Sequence, residues 1–436
     1  MKANHLFLFT NDLRVDDHPA LLKAIESCDS LVCVYCIDPA LFSSGHFSHH
    51  PIGAPRWQFL KESITCLTNT LKSYGQQLLI RFESAKDVIA QLITQHDITA
   101  VFRSLNVGWN EQDYWLTLKR SYPYIKFEEY ESNTLWSRNE LPFSLEDLPD
   151  IFSQFRKRIE TRTILAPYDR PTQLPTSPIN KSEWPSHLPF RENNVSQFKG
   201  GEVAGDHHLH QYFASSAPSE YKETRNALDQ WEYSTKFSPW LALGCLSVKR
   251  IYERLLTYEK VHGANDSTYW IYFELLWREY FQWYALKHGA KLFQFKGIKS
   301  RKPLTSFYPQ RFKSWCEGTT AFPLVNACMK QLRATGYMSN RGRQIAASCL
   351  INELEIDWRY GADWFEQHLI DYDAASNWGN WQYLAGVGAD PRGLRHFNID
   401  KQAQTYDPQS LFIKRWQGDK QTLPSHSVDA ADWPIQ

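Results

Sequence analysis

Five short apolar runs punctuate the first 130 residues: Leu6–Phe9, Leu31–Ile37, Leu78–Phe82, Ala100–Arg103 and Ile125–Tyr130. None shows the three- and four-residue spacing of a helix, and runs of this length without polar alternation have the look of strands buried on both faces. Between them, Arg56–Tyr74 and Ala85–Gln95 place apolar residues at helical intervals. The alternation predicts an α/β domain over residues 1–135, a doubly wound parallel sheet with helices on both faces. No G-x-G-x-x-G follows the first run, so the sheet carries no sign of a nicotinamide dinucleotide. Residues 136–204 read as a connector: six prolines fall at 167, 171, 175, 178, 185 and 189, and Gly200-Gly201 closes the stretch. From 205 onward helical periodicity dominates, with segments near 247–259, 268–288, 323–335, 341–354 and 361–370. This predicts an all-helical domain over 205–416 and an appended tail over 417–436.

At 436 residues the chain has room for two or three domains. Its eight cysteines lie mostly inside apolar segments, which suits reduced thiols in the cytoplasm. Cys33 and Cys36 form a C-x-x-C, but in an extended run residues three apart face opposite ways, so core packing outweighs a redox or metal role. Met1–Thr10 lacks the charged start of a secretory signal, and no stretch reaches the roughly 20 apolar residues of a membrane span. Forty-eight Lys plus Arg balance forty-eight Asp plus Glu, and a net charge of zero by itself argues against a polyanionic partner. The total conceals a local imbalance. Residues 280–352 hold twelve Lys or Arg against one acid, Glu317, with Trp283, Phe293, Phe295, Phe307, Tyr308, Phe312, Trp315 and Tyr337 among the cations. Cations that track phosphates beside aromatic faces that receive bases are what a single-stranded nucleic acid groove requires. A solvated basic face is the plainer alternative.

Two further constellations carry chemistry. In Tyr233–Trp240, hydroxyls and backbone N–H groups ahead of an apolar helical run can hold a phosphate, with Lys236 adding charge, or can simply cap a helix. Ile370–Trp381 gathers Asp371, Asp373 and Asn377 with Trp378 and Trp381. Without His ligands at useful spacing, these carboxylates suit ribose hydroxyls or an arginine better than a metal.

Glu274-Leu-Leu-Trp-Arg-Glu-Tyr-Phe281, Thr335-Gly-Tyr-Met-Ser-Asn-Arg-Gly-Arg-Gln344, and Ile356-Asp-Trp-Arg359 followed by Asp371–Trp381 together resemble the photolyase/cryptochrome flavoproteins. Order and spacing match from Phe9-Thr-Asn-Asp-Leu-Arg14 to Trp416, and Ser339–Gln344, Asp147–Lys157 and Ser234–Trp240 are most similar to the cryptochrome DASH branch. The resemblance implies an N-terminal antenna domain and a C-terminal helical domain that holds FAD. By motif, Tyr221, Ser234, Thr235, Lys236, Phe237 and Ser238 would contact the FAD phosphates, and Arg278 would belong to the same cofactor set. Arg343 paired with Asp371 would lie beside the isoalloxazine, Asp373 near the ribose and Asn377 near flavin N5. Trp381, Trp358 and Trp315 match an electron-transfer chain from the surface to the flavin. Asn110 and Glu111 match antenna positions, implying 5,10-methenyltetrahydrofolate as second chromophore, although such a pair also suits the first turn of any helix.

The implied chemistry is light-driven. An electron passes from excited FADH⁻ to a cyclobutane pyrimidine dimer, the ring splits, and the electron returns; the lesion comes from a single strand or is flipped out of a duplex. Glu274 would hydrogen-bond the dimer and stabilise its radical anion, Trp277 would stack on the pyrimidines, and Asn340 would hold the flanking strand. Two positions depart from conventional dimer photolyases: Gln344 stands in place of Met, and Tyr383 in place of a second lesion-packing Trp. A more polar pocket with less stacking surface offsets less of the few kcal/mol that flipping a base costs, so single-stranded DNA is the expected substrate, with RNA an open second strand. Asn326 stands where the family usually has Asp. The alternative function is a blue-light photoreceptor that binds FAD and nucleic acid but regulates. Long C-terminal extensions are common in sensory members, and here about twenty residues follow Trp416.

Overall fold

A computed structural model of the chain describes residues 3–26, 28–43, 51–179, 184, 196–390 and 395–420. All five apolar runs are strands: β1 (Asn4–Phe9), β2 (Ser30–Cys36), β3 (Leu78–Arg81), β4 (Ile98–Ser104) and β5 (Lys126–Tyr130). They form one parallel sheet in the order β3-β2-β1-β4-β5, with helices α1 (Pro19–Ile25), α2 (Ala54–Ser73), α3 (Ala85–Gln95) and α4 (Trp109–Ser121) between them. The strand order reverses at β1, so crossovers run in both directions and both faces are covered. Side chains alternate accordingly. Leu6, Leu8, Val32 and Val34 pack against Val88, Ile89 and Leu92 of α3 and Trp115 and Leu118 of α4. Phe7, Phe9, Cys33 and Tyr35 face the other way, into a core that includes α1 and α2 and continues unbroken into the helical domain. Cys33 and Cys36 therefore sit on opposite faces, and burial pushes the Cys36 thiol up to about 12, far from thiolate reactivity.

The rest of the chain is helical: α5 (Phe152–Ile159), α6 (Glu202–Phe213), α7 (Ala217–Thr224), α8 (Ser238–Ala242), α9 (Val248–His262), α10 (Asp266–His288), α11 (Pro309–Glu317), α12 (Pro323–Thr335), α13 (Asn340–Ser348), α14 (Trp358–His368), α15 (Ala374–Leu384), α16 (Ile399–Tyr406) and α17 (Leu411–Arg415). Two boundaries differ from expectation. The connector contains α5, and the helix over 341–354 stops at Ser348, where Cys349–Glu353 widens into a π-turn closed by Leu354 N–H on Cys349 O at 3.0 Å. Pro185, Pro189 and the tail beyond 420 lie outside the described residues. Among the described residues no helix is long and apolar enough to cross a membrane.

The domains meet at the segment after β1. Arg14 has no exposed surface, and its guanidinium donates to the carbonyls of Asp16 (2.8 Å), Asp17 (2.9 Å), Ser132 and Gly244 (2.8 Å) and to Asn133 Oδ1 (3.1 Å). Leu13 N–H bonds Leu243 O at 3.0 Å, and Asp16 takes Arg250 in a bidentate pair. Gly244, at φ +61°, lies so close that a Cβ there would meet Asp12 Cα at 2.6 Å, so only glycine permits the approach.

Asn326 also ties distant segments. It is fully buried; its Oδ1 accepts from Thr320 N (2.8 Å) and Oγ1 (2.7 Å), and its Nδ2 donates to Thr320 O (2.8 Å) and Gly418 O (3.0 Å). All four amide positions are used.

Two outcomes follow for stability. Arg14→Met leaves several buried carbonyls without a donor at about 1–3 kcal/mol each, so chemical denaturation should show a loss of at least about 3 kcal/mol. Asn326→Asp removes both donors and sets a carboxylate against two carbonyls, costing about 2 kcal/mol or more at neutral pH. Protonation restores one donor, so the melting temperature of Asn326→Asp should recover partway toward wild type as pH falls; a flat difference across pH contradicts this account.

Candidate active site

Glu274, Trp277 and Arg278 stand at i, i+3 and i+4 on α10, and Asn340, Arg343 and Gln344 repeat that spacing on α13, so each trio shares one helix face. The helices begin where their sequences dictate: Asn265 and Thr268 form a capping box at α10, Ser339 accepts from Gly342 N–H at α13, and Asp373 accepts from Ser376 N–H at α15.

Glu274 pairs with Arg225, which follows α7, and Arg225 lies 4.0 Å over the Trp270 ring. Burial pushes the Glu274 carboxyl up, and the neighbouring guanidinium pulls it back. Trp277 stacks on Phe152 of α5 at 3.7 Å and 12°, which covers one ring face, and meets Tyr383 of α15 edge-on at 5.8 Å. Arg395 grips Tyr383: it donates to the Tyr383 hydroxyl, lies 4.4 Å over the ring, and is held by the fully buried Asp390. Gln344 Nε2 reaches Asn340 Oδ1 at 3.4 Å across one turn. The structure therefore sets Trp277 against Tyr383, with Glu274 one turn away on the same face of α10.

Several of the cofactor residues lie on the same elements, with Tyr221 on α7 and Ser234–Ser238 leading into α8. Arg343 binds Asp371 through Nη2 at 2.7 and 3.0 Å and Met338 O through Nε at 2.8 Å. Asp373 accepts from Gln282 at 2.9 and 3.1 Å and supports the charge on buried Arg278, whose Nη1 donates to Asn133 O at 2.5 Å. Asn377 Nδ2 donates to Ala362 O at 3.0 Å. Tyr221 is buried on α7. From Ser234 to Ser238, no backbone N–H and no side-chain hydroxyl has a protein acceptor among the described residues, while His208 fixes the turn through Thr235 O at 2.8 Å. Lys236 there has φ +53° and its ammonium lies 4.8 Å over Tyr337. Phe237 is buried beneath the turn. Such a run of unsatisfied donors has the chemistry to hold a diphosphate, so these residues fit FAD.

One sequence expectation fails at its outer end. Trp381 and Trp315 meet edge to face at 6.3 Å, but Trp315 is 0% exposed, enclosed by Phe312 and Phe365, with Nε1 bonded to Ala346 O at 3.0 Å. Trp358 is equally buried, against Trp378 at 5.7 Å. None of the three tryptophans opens on the surface. The half-buried Tyr360 and Trp364, 5.6 and 6.3 Å beyond Phe312, are the oxidisable rings nearer solvent on that side.

At the first turn of α4, Asn110 is exposed, and burial pushes the Glu111 carboxyl up. Glu366 of α14, also pushed up by burial, is within electrostatic reach of Glu111 and accepts from the Tyr372 hydroxyl at 2.8 Å. Arg56 of α2 lies 4.4 Å over Tyr372 and donates to Glu366 O at 2.7 Å. Sequence reading missed Glu366, Arg225, Arg395, Gln282 and the backing role of Phe152. Only Phe152 had a signal, its place in Asp147–Lys157.

Residues 5–176 match the DNA photolyase family, and residues 270–435 match the FAD binding domain of DNA photolyase. A cryptochrome DASH of Idiomarina loihiensis is 50% identical over 433 residues, covering 99% of this chain and 96% of that one. A cryptochrome DASH of Arabidopsis thaliana, chloroplastic/mitochondrial, is 41% identical over 99% of this chain and 78% of the relative. Among solved structures, a Synechocystis cryptochrome superposes with TM-score 0.90 at 41% identity, covering 98% of this chain and 91% of that one. A class III photolyase of Agrobacterium tumefaciens gives 0.82 at 25% identity, covering 95% and 86%. With a photolyase-type FAD-binding domain behind a five-stranded parallel sheet and this degree of identity over nearly its whole length, the chain belongs to the photolyase/cryptochrome family, in its cryptochrome DASH branch.

Proposed function

We propose that this protein is a light-driven, FAD-dependent lyase that splits cyclobutane pyrimidine dimers, preferentially in single-stranded DNA. The observation that supports this most is the pairing, beside the FAD residues, of a half-buried acid with flat aromatic faces: Glu274 and Trp277 on α10, with Tyr383 against Trp277. Bound reduced FAD supplies, on excitation, the electron that opens the cyclobutane ring. Ser234–Ser238, Tyr221 and Arg278 would hold its diphosphate side, Arg343, fixed in place by Asp371, would lie beside the flavin ring, Asp373 would serve the ribose, and Asn377, held by Ala362 O, would neighbour the flavin. Trp381, against Trp315 at 6.3 Å and with Trp358 in the same core, would pass electrons inward, the surface end of the route lying beyond these three buried rings.

The remaining steps belong to the side chains. Glu274, with its carboxyl raised by burial, holds a proton closer to neutral pH than an ordinary glutamate and donates it as a hydrogen bond to the pyrimidine carbonyl on which negative charge grows. Trp277, backed by Phe152 and flanked by Phe281 at 5.6 Å, would give its remaining ring surface to the pyrimidines. Gln344 and Tyr383 give that pocket polarity in place of apolar area, which leaves less to offset unstacking a duplex. At the first turn of α4, Glu111 and the nearby Glu366 have the acceptors that the N–H edge of a pterin needs, which suits a 5,10-methenyltetrahydrofolate antenna.

Illuminating the reduced protein with dimer-containing oligonucleotides and counting restored thymines per flavin decides the matter: many per flavin are expected on single strands and fewer on duplex, whereas none identifies a photoreceptor. Gln344→Met with Tyr383→Trp should raise the duplex to single-strand ratio by up to about tenfold, the worth of one better aromatic contact. Arg225→Gln removes the cation that lowers the Glu274 carboxyl, so the alkaline fall-off of repair should move to higher pH. A downward or absent shift in the pH profile contradicts the role given to Glu274.

A further inference from the structure

The chain between the 3₁₀ turn Gly289–Phe293 and α11 makes an excursion pinned at its two ends. At the near end, Lys299 N–H bonds Val387 O at 3.0 Å, Ile298 N–H bonds Gln382 Oε1 at 3.4 Å, and the Lys299 ammonium bonds Asp390 O. At the far end, Ser306 bridges to Ile356, with Ser306 N–H on Glu355 O at 2.9 Å and Asp357 N–H on Ser306 O at 2.8 Å. Ser300, at φ +55°, turns the backbone between these anchors. Arg301 and Lys302 are exposed, and among the described residues neither has a hydrogen-bond or ion-pair partner. Glu355, the acid beside the far anchor, is taken up by Arg311 at 3.5 Å. Leu304 is 97% exposed, more than any other large hydrophobic residue described. A single exposed leucine is ordinary. One held out two residues after a pair of unpaired cations, on a pinned loop, is not explained by core packing.

The near anchor locates the loop. Val387 and Asp390 belong to the turn after α15, and Asp390 is the residue that holds Arg395 on Tyr383, the wall of the lesion pocket opposite Trp277. The loop is therefore tied through Val387 and Asp390 to the same turn that supports Tyr383.

We propose that residues 300–305 form a second contact surface for single-stranded DNA, in which Arg301 and Lys302 hold backbone phosphates and Leu304 packs on an unstacked base beside the lesion. It deepens the lyase reading and rests on it for the position of the strand. Cations meet phosphates irrespective of sequence, and an aliphatic side chain covers any base whose face is free. A duplex offers no such face, so the loop favours a single strand for a reason separate from the polarity of the pocket.

The test uses the full-length protein with FAD bound and an undamaged single-stranded 16-mer, followed in the dark by fluorescence anisotropy at several salt concentrations. Arg301→Ala with Lys302→Ala should weaken binding by about 10- to 25-fold at 0.1 M salt and reduce the slope of log affinity against log salt by about 1.4, two phosphates' worth. Leu304→Ser should weaken it several-fold with the slope unchanged, since it removes apolar contact only. Repair of a dimer in an isolated dinucleotide, too short to reach the loop, should stay at the wild-type rate in both variants. An unchanged salt slope in the double variant, equal losses on duplex and single strand, or a matching loss on the dinucleotide overturns the proposal. Because strand binding is read without light on undamaged DNA, a protein that never repairs dimers would defeat the lyase reading while leaving the loop measurement intact.

Discussion

A guanidinium cannot be neutralised inside a protein, so a buried arginine must find acceptors for all of its donors or not be buried at all. Arg14 meets that demand with carbonyls that no single domain supplies: Asp16 and Asp17 from the loop after β1, Ser132 from the segment after β5, and Gly244 from the helical domain. The two halves of the chain are therefore oriented by hydrogen-bond accounting rather than by apolar contact alone. The consequence reaches the active site through one residue. Asn133 accepts from Arg14 on its side chain and from Arg278 on its carbonyl, and Arg278 stands one turn from Glu274 on α10. Glu279, next on the same helix, accepts from Leu135 N–H at 2.8 Å and Trp283 Nε1 at 2.7 Å, with burial holding its carboxyl at about 7. The segment 132–135 thus fixes the rotation of α10, and with it the direction in which Glu274 and Trp277 point.

The site itself is held by partners that do no chemistry. Phe152 fixes the plane of Trp277, Arg395 that of Tyr383, Arg225 the carboxyl of Glu274, and Gln282 that of Asp373. Each partner comes from a different element, so the pocket has few ways to relax independently. Such support keeps reacting groups within the narrow geometry that positioning requires. It also explains why α10 can be apolar nearly all round: its neighbours lie on every side, and its polar residues are paired inside the core.

How much of this the sequence discloses depends on whether the signal is local. The strands are legible because apolar runs of strand length are separated by helical spacing, and the helix at Pro323–Thr335 is legible to the residue because Pro sits at its first position and Gly336 in the left-handed region after it. The π-turn at Cys349–Glu353 is not legible, since its residues continue the apolar pattern of α13 without interruption. Helix α15 hides for the opposite reason: buried on nearly every side, it has no polar face to set a period. Within the site, Arg343 and Asp371 follow from motif, whereas Arg225, Gln282 and Arg395 act across long separations that spacing cannot express. Trp315 was legible as an aromatic at the right place in the chain, but burial is a property of neighbours, and Phe312, Phe365 and Trp381 close it from solvent.

The same distinction governs charge. Twelve cations in residues 280–352 suggest a strongly basic groove, yet the fold consumes many of them internally. Lys287 bonds Leu148 O and Asp150, Lys330 bonds Gln417 O, Arg341 bonds Asn226, Arg343 is locked to Asp371, and Arg311 faces Glu355. A cation with a protein partner already in place gains little from a phosphate, since one favourable contact replaces another. Charges that would release counterions are therefore, among the described residues, only half of those counted, and Arg301 and Lys302 are among them, on a loop anchored to the turn after α15. The zero net charge of the chain and the basic count of one segment are both poor guides to nucleic acid binding, because affinity depends on which charges the fold leaves unspent and where it holds them.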